Sequence, residues 1–296
     1  MDKNNDKLKV IYIMGSGHTG STLLDLCIGA HPKIQSCGEF KPHLFWGNYQ
    51  KNKLCGCGIS SQSCPFWSQV INDWKSKTGI YDLNVMKNSQ DKFENISINQ
   101  RINLDSYETE FYSYLIYNQE LLYSISYISD KPILVDSTKN SIRALNLSLM
   151  PNIELILIHL VRNGNAVTWS NMKKDRSVKS SSKNWLISNL RSEIVYHKIK
   201  TKKLRIRYED FINNPTDTLN SIGNLLGLDF SNISKNLING TGIEINSHLL
   251  AGNRKVFSSS NLKLNPDNTW KQKMSYKNRI YSKLLTFPLA IKYGYL

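Results

Sequence analysis

The sequence predicts an α/β fold in which a central parallel sheet is flanked by helices. Short apolar runs recur along the chain, each run ends in polar or charged residues, and helical patterns follow. Buried parallel strands have this composition because helices cover both faces of such a sheet. Ligands of open parallel sheets bind beyond the carboxyl ends of the strands. The residues after each run are therefore the first candidates for a functional site.

Four segments are predicted as strands. Val10–Met14 and Ile133–Val135 are short and almost wholly apolar, and Ile153–Val161 is the strongest strand signal in the chain. Leu204–Tyr208 alternates apolar and basic residues. Each run is expected to contribute one strand to the sheet.

Helices are predicted between these strands. The segment after the first strand has leucines at helical spacing and ends at Ala30-His31-Pro32, while another helical pattern begins at Pro215 and closes at Gly227. Residues 68–130 are interpreted as helical cover. Residues 173–183, rich in serine and lysine, are interpreted as a mobile surface segment.

Size and charge narrow the class of protein. The 296 residues, 40% of them hydrophobic, are expected to form one domain over 1–296. The net charge of +15 favours an anionic ligand, but the basic residues are scattered, which argues against a nucleic-acid surface. Neither a secretory signal nor a membrane-length apolar run is apparent. We expect a cytoplasmic protein without a membrane partner, as a monomer or homodimer.

The stretch Gly15-Ser16-Gly17-His18-Thr19-Gly20-Ser21-Thr22 follows the first predicted strand. It has the frame of a phosphate-binding loop, G-x-x-x-x-G-K-[ST], except that Ser21 stands at the lysine position. A kinase or nucleoside triphosphatase needs that lysine and an acidic residue for magnesium, for which Asp136 is the candidate. Backbone N–H groups and a helix N-terminus can still hold a single phosphate. A kinase with a degenerate loop remains an alternative.

Four motifs in order give the sequence a resemblance to the sulfotransferases that use 3′-phosphoadenosine-5′-phosphosulfate. Gly15–Leu24 resembles their 5′-phosphosulfate loop, and Leu160–Ser170 resembles their 3′-phosphate motif. Arg207–Phe211 is similar to the segment beside the adenine, and Gly252–Arg254, with Trp270 downstream, to the C-terminal cofactor loop. The resemblance implies the P-loop-like sulfotransferase fold and sulfuryl transfer without a metal ion.

The resemblance also implies which residues bind the donor. Arg162, Ser170 and Arg254 would hold the 3′-phosphate. For Tyr208, packing in the core and contact with the adenine are equally expected. The predicted donor-binding residues are Gly17, His18, Thr19, Gly20, Ser21, Thr22, Arg162, Ser170, Tyr208, Gly252, Asn253 and Arg254.

Three residues are implied in the reaction itself. Ser36-Cys37-Gly38-Glu39-Phe40 resembles a segment of tyrosylprotein and related sulfotransferases, in which the glutamate deprotonates the acceptor, so Glu39 is the expected base. His18 stands where most of the family has Arg or Lys, which would make activity sensitive to pH near neutrality. Lys139 is the expected second cation for the transition state. His43 is a reserve base, while His31 and His159 are expected to be structural.

Four of the five cysteines lie close in sequence: Cys37, Cys55, Cys57 and Cys64. A zinc site is conceivable, but the spacing differs from known zinc patterns, so a loop packed or stapled by thiols is the preferred interpretation.

The acceptor is not encoded by any motif. We expect a hydroxyl or amine of a small metabolite, such as a saxitoxin-type alkaloid, while carbohydrate, lipid and peptide tyrosine stay open. A non-catalytic protein that retains the donor-binding fold is a further alternative.

Overall fold

The computed structural model of the chain describes residues 7–104, 109–245, 247–257 and 260–296. Five parallel strands form the central sheet in the order β2-β3-β1-β4-β5. Their bounds are Leu8–Gly15 (β1), Ile34–Gly38 (β2), Ile133–Lys139 (β3), Ile153–Val161 (β4) and Lys202–Arg207 (β5). A short antiparallel pair, Ile243–Glu244 (β6) and Asn261–Leu262 (β7), lies outside this sheet. The predicted α/β fold with a parallel sheet is confirmed.

Helices flank the sheet and connect its strands. They are α1 Ser21–Gly29, α2 Pro42–Gln50, α3 Pro65–Thr78, α4 Leu83–Glu94, α5 Ile98–Asn103, α6 Thr109–Ser129, α7 Ser141–Leu147, α8 Gly164–Met172, α9 Val178–Lys198, α10 Tyr208–Asn213, α11 Pro215–Leu226, α12 Ser231–Ile238, α13 Arg254–Phe257, α14 Thr269–Lys273 and α15 Tyr276–Lys292. None of the helices formed by the described residues is long and apolar enough to cross a membrane.

Both faces of the sheet are buried. Alternate residues of β1 point to opposite faces, so Val10 and Tyr12 join one apolar cluster while Ile11 and Ile13 join the other. The first cluster contains side chains of α2–α4 and α6, and the second contains those of α1, α11 and α12. This two-sided burial explains why the strands are continuous apolar runs.

Most elements lie where the sequence placed them. β4 has the predicted bounds, the helical cover is α3–α6, and α11 ends before Gly227, which has the left-handed backbone (φ 70°) of a helix C-cap. β2 is not among the four strands predicted from sequence. Its buried Gln35 and Ser36 interrupt the apolar run that would have marked a strand.

The mobile segment predicted over 173–183 is wrong. α9 begins at Val178, and the hydroxyl of Ser177 caps it by accepting a hydrogen bond from the Ser180 N–H (3.2 Å). Ser181 and Ser182 are fully buried, so these serines face the protein interior.

The four cysteines that are close in sequence do not all lie together in the structure. Cys37 is buried in β2, whereas Cys55, Cys57 and Cys64 meet in the connection from α2 to α3. The fourth member of that cluster is His248, from the loop after β6.

Candidate active site

The loop after β1 lies at the carboxyl edge of the sheet, and β1 pairs with β3 on one side and β4 on the other. A Cβ at Gly15 (φ 146°) would lie 2.3 Å from the carbonyl oxygen of Leu160, so β4 approaches too closely for any side chain. Gly20 (φ 88°) is the N-cap of α1 and supplies no capping side chain. The first N–H groups of α1 therefore lack an intrahelical or side-chain acceptor, as in an anion site.

Side chains of the loop fix its shape. The buried Thr19 hydroxyl donates to the Ser16 carbonyl (3.0 Å), and Ser21 and Thr22 are also buried. Thr22 Oγ1 accepts a hydrogen bond from the Asn253 N–H (3.1 Å). The predicted C-terminal loop thus contacts the predicted phosphate loop.

Glu39, Lys139 and Ser21 meet beside this loop. Lys139 Nζ donates to Glu39 Oε1 and to Ser21 Oγ (3.2 Å), while Lys41 Nζ lies 3.2 Å from the other Glu39 oxygen. The side chains of Glu39 and Lys139 are each only 9% exposed. The structure therefore places two of the three predicted catalytic residues, Glu39 and Lys139, against the loop at the ends of β2 and β3.

Irregular backbone aims these side chains. Lys139 (φ 74°) and His18 (φ 63°) both have left-handed backbone, which is uncommon outside glycine. The register of β3 against β1 shifts after Asp136, so that Lys139 lies opposite Met14. Such bulges at strand ends redirect side chains, and strained residues often cluster at functional sites.

Glu39 and Lys139 each favour the charged form of the other. Burial alone would raise the pKa of Glu39, but Lys139 and Lys41 outweigh it and hold that pKa below its ordinary value. Burial lowers the pKa of Lys139, and Glu39 opposes this effect. Glu39 is thus an ionised carboxylate whose basicity is restrained by its lysine partners.

In the free protein the pKa of His18 lies below neutrality, while the predicted pH sensitivity of the reaction itself stays a prediction. Burial and the positive charges of Lys174, Lys139, Arg176 and Arg162 lower the pKa of His18 to about 4. The imidazole is therefore neutral at pH 7, with one donor and one acceptor nitrogen, and only its N–H can donate to an anion in this state.

Asp25, a residue that sequence reasoning missed, ties together the elements of the site. It lies on α1 and accepts hydrogen bonds from the hydroxyls of Ser36 and Ser137 (2.6 Å) and from the Gly38 N–H (3.1 Å). Burial raises the pKa of Asp25 to about 7, although the two hydroxyls act in the opposite direction. An aspartate within the apolar pattern of α1 is the sequence signal that could have identified it.

Arg162 lies on the other side of the loop. Its guanidinium donates to the His18 carbonyl (3.0 Å), stacks 4.3 Å from the centre of the Tyr208 ring, and pairs with Asp267 (3.1 Å). Its Nε is buried without a partner among the described residues. Because Tyr208 also packs against Gly20, this cluster joins the loop to β4 and α10.

Ser170 and Arg254 are the other two predicted 3′-phosphate residues. Ser170 is half-buried near the end of α8, and the described residues provide its hydroxyl with no hydrogen-bond partner. Arg254 is exposed and donates to the Leu54 carbonyl (2.6 Å). Within the described ranges, no hydrogen bond or ion pair links Arg162, Ser170 and Arg254 to one another.

A family model described as the sulfotransferase family matches residues 11–232. The chain belongs to the sulfotransferase family. This match, over three quarters of the sequence, agrees with the P-loop-like fold and makes the protein a sulfotransferase enzyme.

Two solved structures resemble this sulfotransferase along its length. The sulfotransferase domain of the Synechococcus PCC 7002 olefin synthase is 17% identical, with a TM-score of 0.52 and coverage of 97% of this chain and 96% of that one. The sulfotransferase domain from the curacin biosynthetic pathway is 15% identical, with a TM-score of 0.55 and coverage of 96% and 98%. At these identities the likeness shows the fold alone. No protein of curated function matches the chain.

A cavity of about 380 Å³ opens beside the Glu39–Lys139 pair of the sulfotransferase. Its lining is mostly polar, and its side chains include the cations Lys41, Lys139 and Arg191 and the carboxylate of Glu94. Glu94 is already paired with the buried Arg143 (2.7 Å). The cavity is therefore positive in character and has few apolar surfaces.

A second cavity, of about 250 Å³, lies beside Tyr208 and is also lined by Asp267, Trp270 and Tyr295. Tyr208, from the segment that resembles the one beside the adenine, and Trp270, from downstream of the predicted cofactor loop, thus share one cleft. Flat aromatic surfaces are suited to stacking a purine base.

The remaining histidines are not near the reaction centre. His159 is buried in β4, with Nε2 near Asn189 (3.2 Å), as expected of a core histidine. The Nδ1 of His31 accepts from the Lys33 N–H (3.2 Å). The reserve base His43 is exposed, and its Nε2 lies 3.3 Å from a carboxylate oxygen of Asp91.

Asp136, the candidate magnesium carboxylate, is also occupied. It is fully buried, accepts from the Thr138 N–H (2.9 Å), and pairs with Arg143 (2.8 Å). These contacts serve the core and disfavour the kinase alternative.

Proposed function

We propose that the enzyme transfers the sulfuryl group of 3′-phosphoadenosine-5′-phosphosulfate to a hydroxyl or amine of a small polar acceptor. The observation that carries this proposal is the contact of Lys139 with both Glu39 and Ser21, since it joins a base, a cation and the anion-binding loop. The donor supplies an activated sulfuryl group on a phosphate that can leave.

The loop residues fit the 5′-phosphate end of this donor. Gly17, Ser21 and Thr22 present backbone N–H groups at the start of α1, and no lysine is needed because a phosphosulfate has no γ-phosphate to reach. Lys139 supplies a cation from β3 in its place. With Asp136 held by Arg143, metal-independent binding is expected.

Glu39 acts as the base. In the free enzyme Lys139 restrains its basicity, so we propose that Lys139 turns from Glu39 toward the anionic sulfuryl group when the donor binds. Glu39 then accepts the proton of the acceptor hydroxyl as the new oxygen–sulfur bond forms and the bridging oxygen–sulfur bond breaks. Lys139 and the N–H of neutral His18 stabilise the charge on the departing phosphate.

Arg162 is the proposed anchor of the 3′-phosphate. Its unpartnered buried Nε fits an additional oxygen acceptor, and its stacking on Tyr208 positions it at the aromatic cleft. The carboxylate of Asp267 must move away for a phosphate to bind there, since two anions would otherwise share one guanidinium.

The lining of the larger cavity suggests the acceptor's character. Lys41 and Lys139 share the single carboxylate of Glu39, and Arg191 adds a further positive charge, so the cavity has an excess of positive charge that favours a neutral or anionic molecule rich in polar groups. Glu94 does not offset this charge, because it is paired with Arg143. This excess of positive charge disfavours a cationic alkaloid of the saxitoxin type, and the few apolar side chains disfavour a lipid. We therefore propose a polar, uncharged or anionic metabolite or sugar.

Transfer of the ³⁵S label from the donor tests this function. Panels of anionic, neutral and cationic hydroxyl compounds would be incubated with the enzyme, with Glu39→Gln as the inactive control. The proposal expects label in neutral or anionic acceptors and none with the variant. Phosphoryl transfer from ATP in the same panels, or label confined to cationic acceptors, would refute it.

A further inference from the structure

The cysteine–histidine cluster lies apart from the reaction centre and has the geometry of a metal site. The ligand atoms of Cys55, Cys57, Cys64 and His248 all lie within 4.8 Å of one another. Cys64 Sγ is 3.7 Å from the sulfurs of both Cys55 and Cys57. His248 Nδ1 is 3.3 Å from Cys64 Sγ and 3.8 Å from Cys55 Sγ.

Four of the six separations are close to the edges of a tetrahedron around zinc, and the remaining two, from Cys57 to Cys55 and to His248, are within 4.8 Å. Zinc–sulfur bonds of about 2.3 Å and zinc–nitrogen bonds of about 2.0–2.1 Å give tetrahedral edges of roughly 3.5–3.8 Å. A disulfide needs sulfurs about 2.05 Å apart and would use only two of the three thiols. Three sulfurs and one imidazole nitrogen at such distances are the donor set of a Cys₃His structural zinc site.

The surrounding structure presents the ligands. Cys55 and Cys57 lie in a tight turn in which the Cys55 N–H donates to the Ile59 carbonyl (2.8 Å) and the Gly58 N–H donates to that of Cys55 (3.0 Å). Cys64 is the N-cap of α3. The His248 ring stacks on Phe66 (4.8 Å between ring centres). The Trp67 indole donates to the backbone carbonyl of His248. Contacts of this kind orient metal ligands.

We propose that Cys55, Cys57, Cys64 and His248 form a structural zinc site, in place of the thiol-packed loop expected from sequence. The sequence pattern did not show a complete set of zinc ligands, because the fourth ligand, His248, lies far along the chain from the three cysteines. All four positions are filled by protein atoms, so the site is closed and takes no part in the reaction.

The site connects the loop after α2 to the segment beside the active site. The Gly56 N–H donates to the Leu249 carbonyl (3.0 Å). Two residues further, the Ala251 carbonyl accepts from the Glu39 N–H (3.3 Å), and the Asn253 N–H reaches Thr22. Zinc at His248 therefore fixes the segment that contacts both Glu39 and the phosphate loop.

Metal analysis of the full chain, purified without chelators, tests the site. We expect about one zinc per chain in the wild type and in the control Cys37→Ser, which changes a buried thiol outside the cluster. In Cys64→Ser, zinc affinity should fall at least about tenfold. Wild-type protein in which zinc is absent and the three thiols react as free thiols, or in which two form a disulfide, would overturn the proposal.

A second measurement remains informative if Cys64→Ser fails to fold. Titration of the wild type with a thiol-binding mercurial should release about one zinc as the three cysteines react, detected with a coloured chelator. Cobalt-substituted protein should show the visible absorption of tetrahedral thiolate-bound cobalt. Absence of both signals would overturn the site.

The consequence for donor binding rests on the proposed function and is measured separately. Zinc removal should weaken the binding of adenosine 3′,5′-bisphosphate by at least about tenfold, because the Asn253 segment loses its anchor. A chain that holds zinc but does not bind this nucleotide would refute the proposed donor and leave the metal site intact. Nucleotide affinity unchanged by zinc removal would overturn the positioning role alone.

Discussion

The two ends of the proposed donor site differ in how completely they are assembled. At the transfer end, Asp25 bonds to residues of β2 and β3, and Lys139 already bridges Glu39 and Ser21. At the nucleotide end, Arg162 is paired with the carboxylate of Asp267. The difference teaches that the proposed reacting groups already contact one another before the donor arrives, whereas the proposed 3′-phosphate anchor is occupied by an acidic side chain of the protein itself.

The largest expected effect is at the transfer end. Glu39→Gln removes the base and keeps the size of the side chain, so the turnover number should fall by roughly 10²–10⁴-fold. The affinity for adenosine 3′,5′-bisphosphate should change little. Steady-state kinetics and calorimetry measure the two effects, with the exposed His43→Gln as control. Turnover within a few-fold of wild type would remove Glu39 from the base role.

Lys139→Met should lower turnover by about 10²–10³-fold, because a preorganised cation is lost from the transition state. Without Lys139 the pKa of the buried Glu39 rises, since only Lys41 then opposes desolvation. The base must be ionised, so the acid limb of the pH–rate profile should move to higher pH. Lys41→Met, which removes the more exposed partner, is the matched comparison. An unmoved acid limb would contradict the coupling of Lys139 to Glu39.

Asp25→Asn should alter how stability depends on pH. The folded pKa of Asp25 is about 7 against an ordinary 3.8, so the native state binds this proton more tightly. Its contribution is present at low pH and is lost as pH rises through about 7, on the order of a few kcal/mol. The melting temperature of the wild type should fall relative to Asp25→Asn between about pH 5 and pH 8. Asp82→Asn, which changes an exposed helix-capping carboxylate, is the control. An equal fall of the wild-type melting temperature relative to Asp82→Asn over the same pH range would refute the assignment of the effect to Asp25.

Asp267→Asn tests whether Asp267 competes with the nucleotide for Arg162. Because the variant removes the carboxylate that competes for Arg162, affinity for adenosine 3′,5′-bisphosphate should rise by about two- to fivefold. Arg162→Ala should lower it. Weaker binding by Asp267→Asn would mean that Asp267 orients Arg162 rather than blocking it.

The smallest expected effect concerns His18. It is neutral in the free protein, and a bound phosphate would raise its pKa, so nucleotide binding near pH 6 should take up a fraction of a proton. Calorimetry in buffers of different ionisation enthalpy measures this uptake, which His18→Asn should abolish. Uptake that persists in the variant would assign the proton to another group.

The sequence predicted those parts of the fold that are determined by residues close to one another along the chain. The apolar runs of β1, β3 and β4 mark strands because both sheet faces are buried, and the glycines of the loop mark a close backbone approach. Glu39 and Lys139 were predicted independently of each other. They meet because β2 and β3, which end near them, are neighbours in the sheet.

The rest depends on contacts between distant segments. His248 joins the cysteines from a loop far along the chain, and Asp267 reaches Arg162 from residues without any motif. Asp25 was hidden because a polar side chain in an apolar helix pattern has no visible partner in sequence. The start of α9 was missed because two of its serines, Ser181 and Ser182, are buried, whereas the composition of the segment suggested a surface.

Calorimetric titration with adenosine 3′,5′-bisphosphate in magnesium-free buffer tests the central claim most directly. We predict binding to one site, unchanged by added magnesium, weakened by Arg162→Ala and retained by Glu39→Gln. A lack of binding, or binding of ATP that requires magnesium, would contradict a loop built for a single phosphate that carries a sulfuryl group.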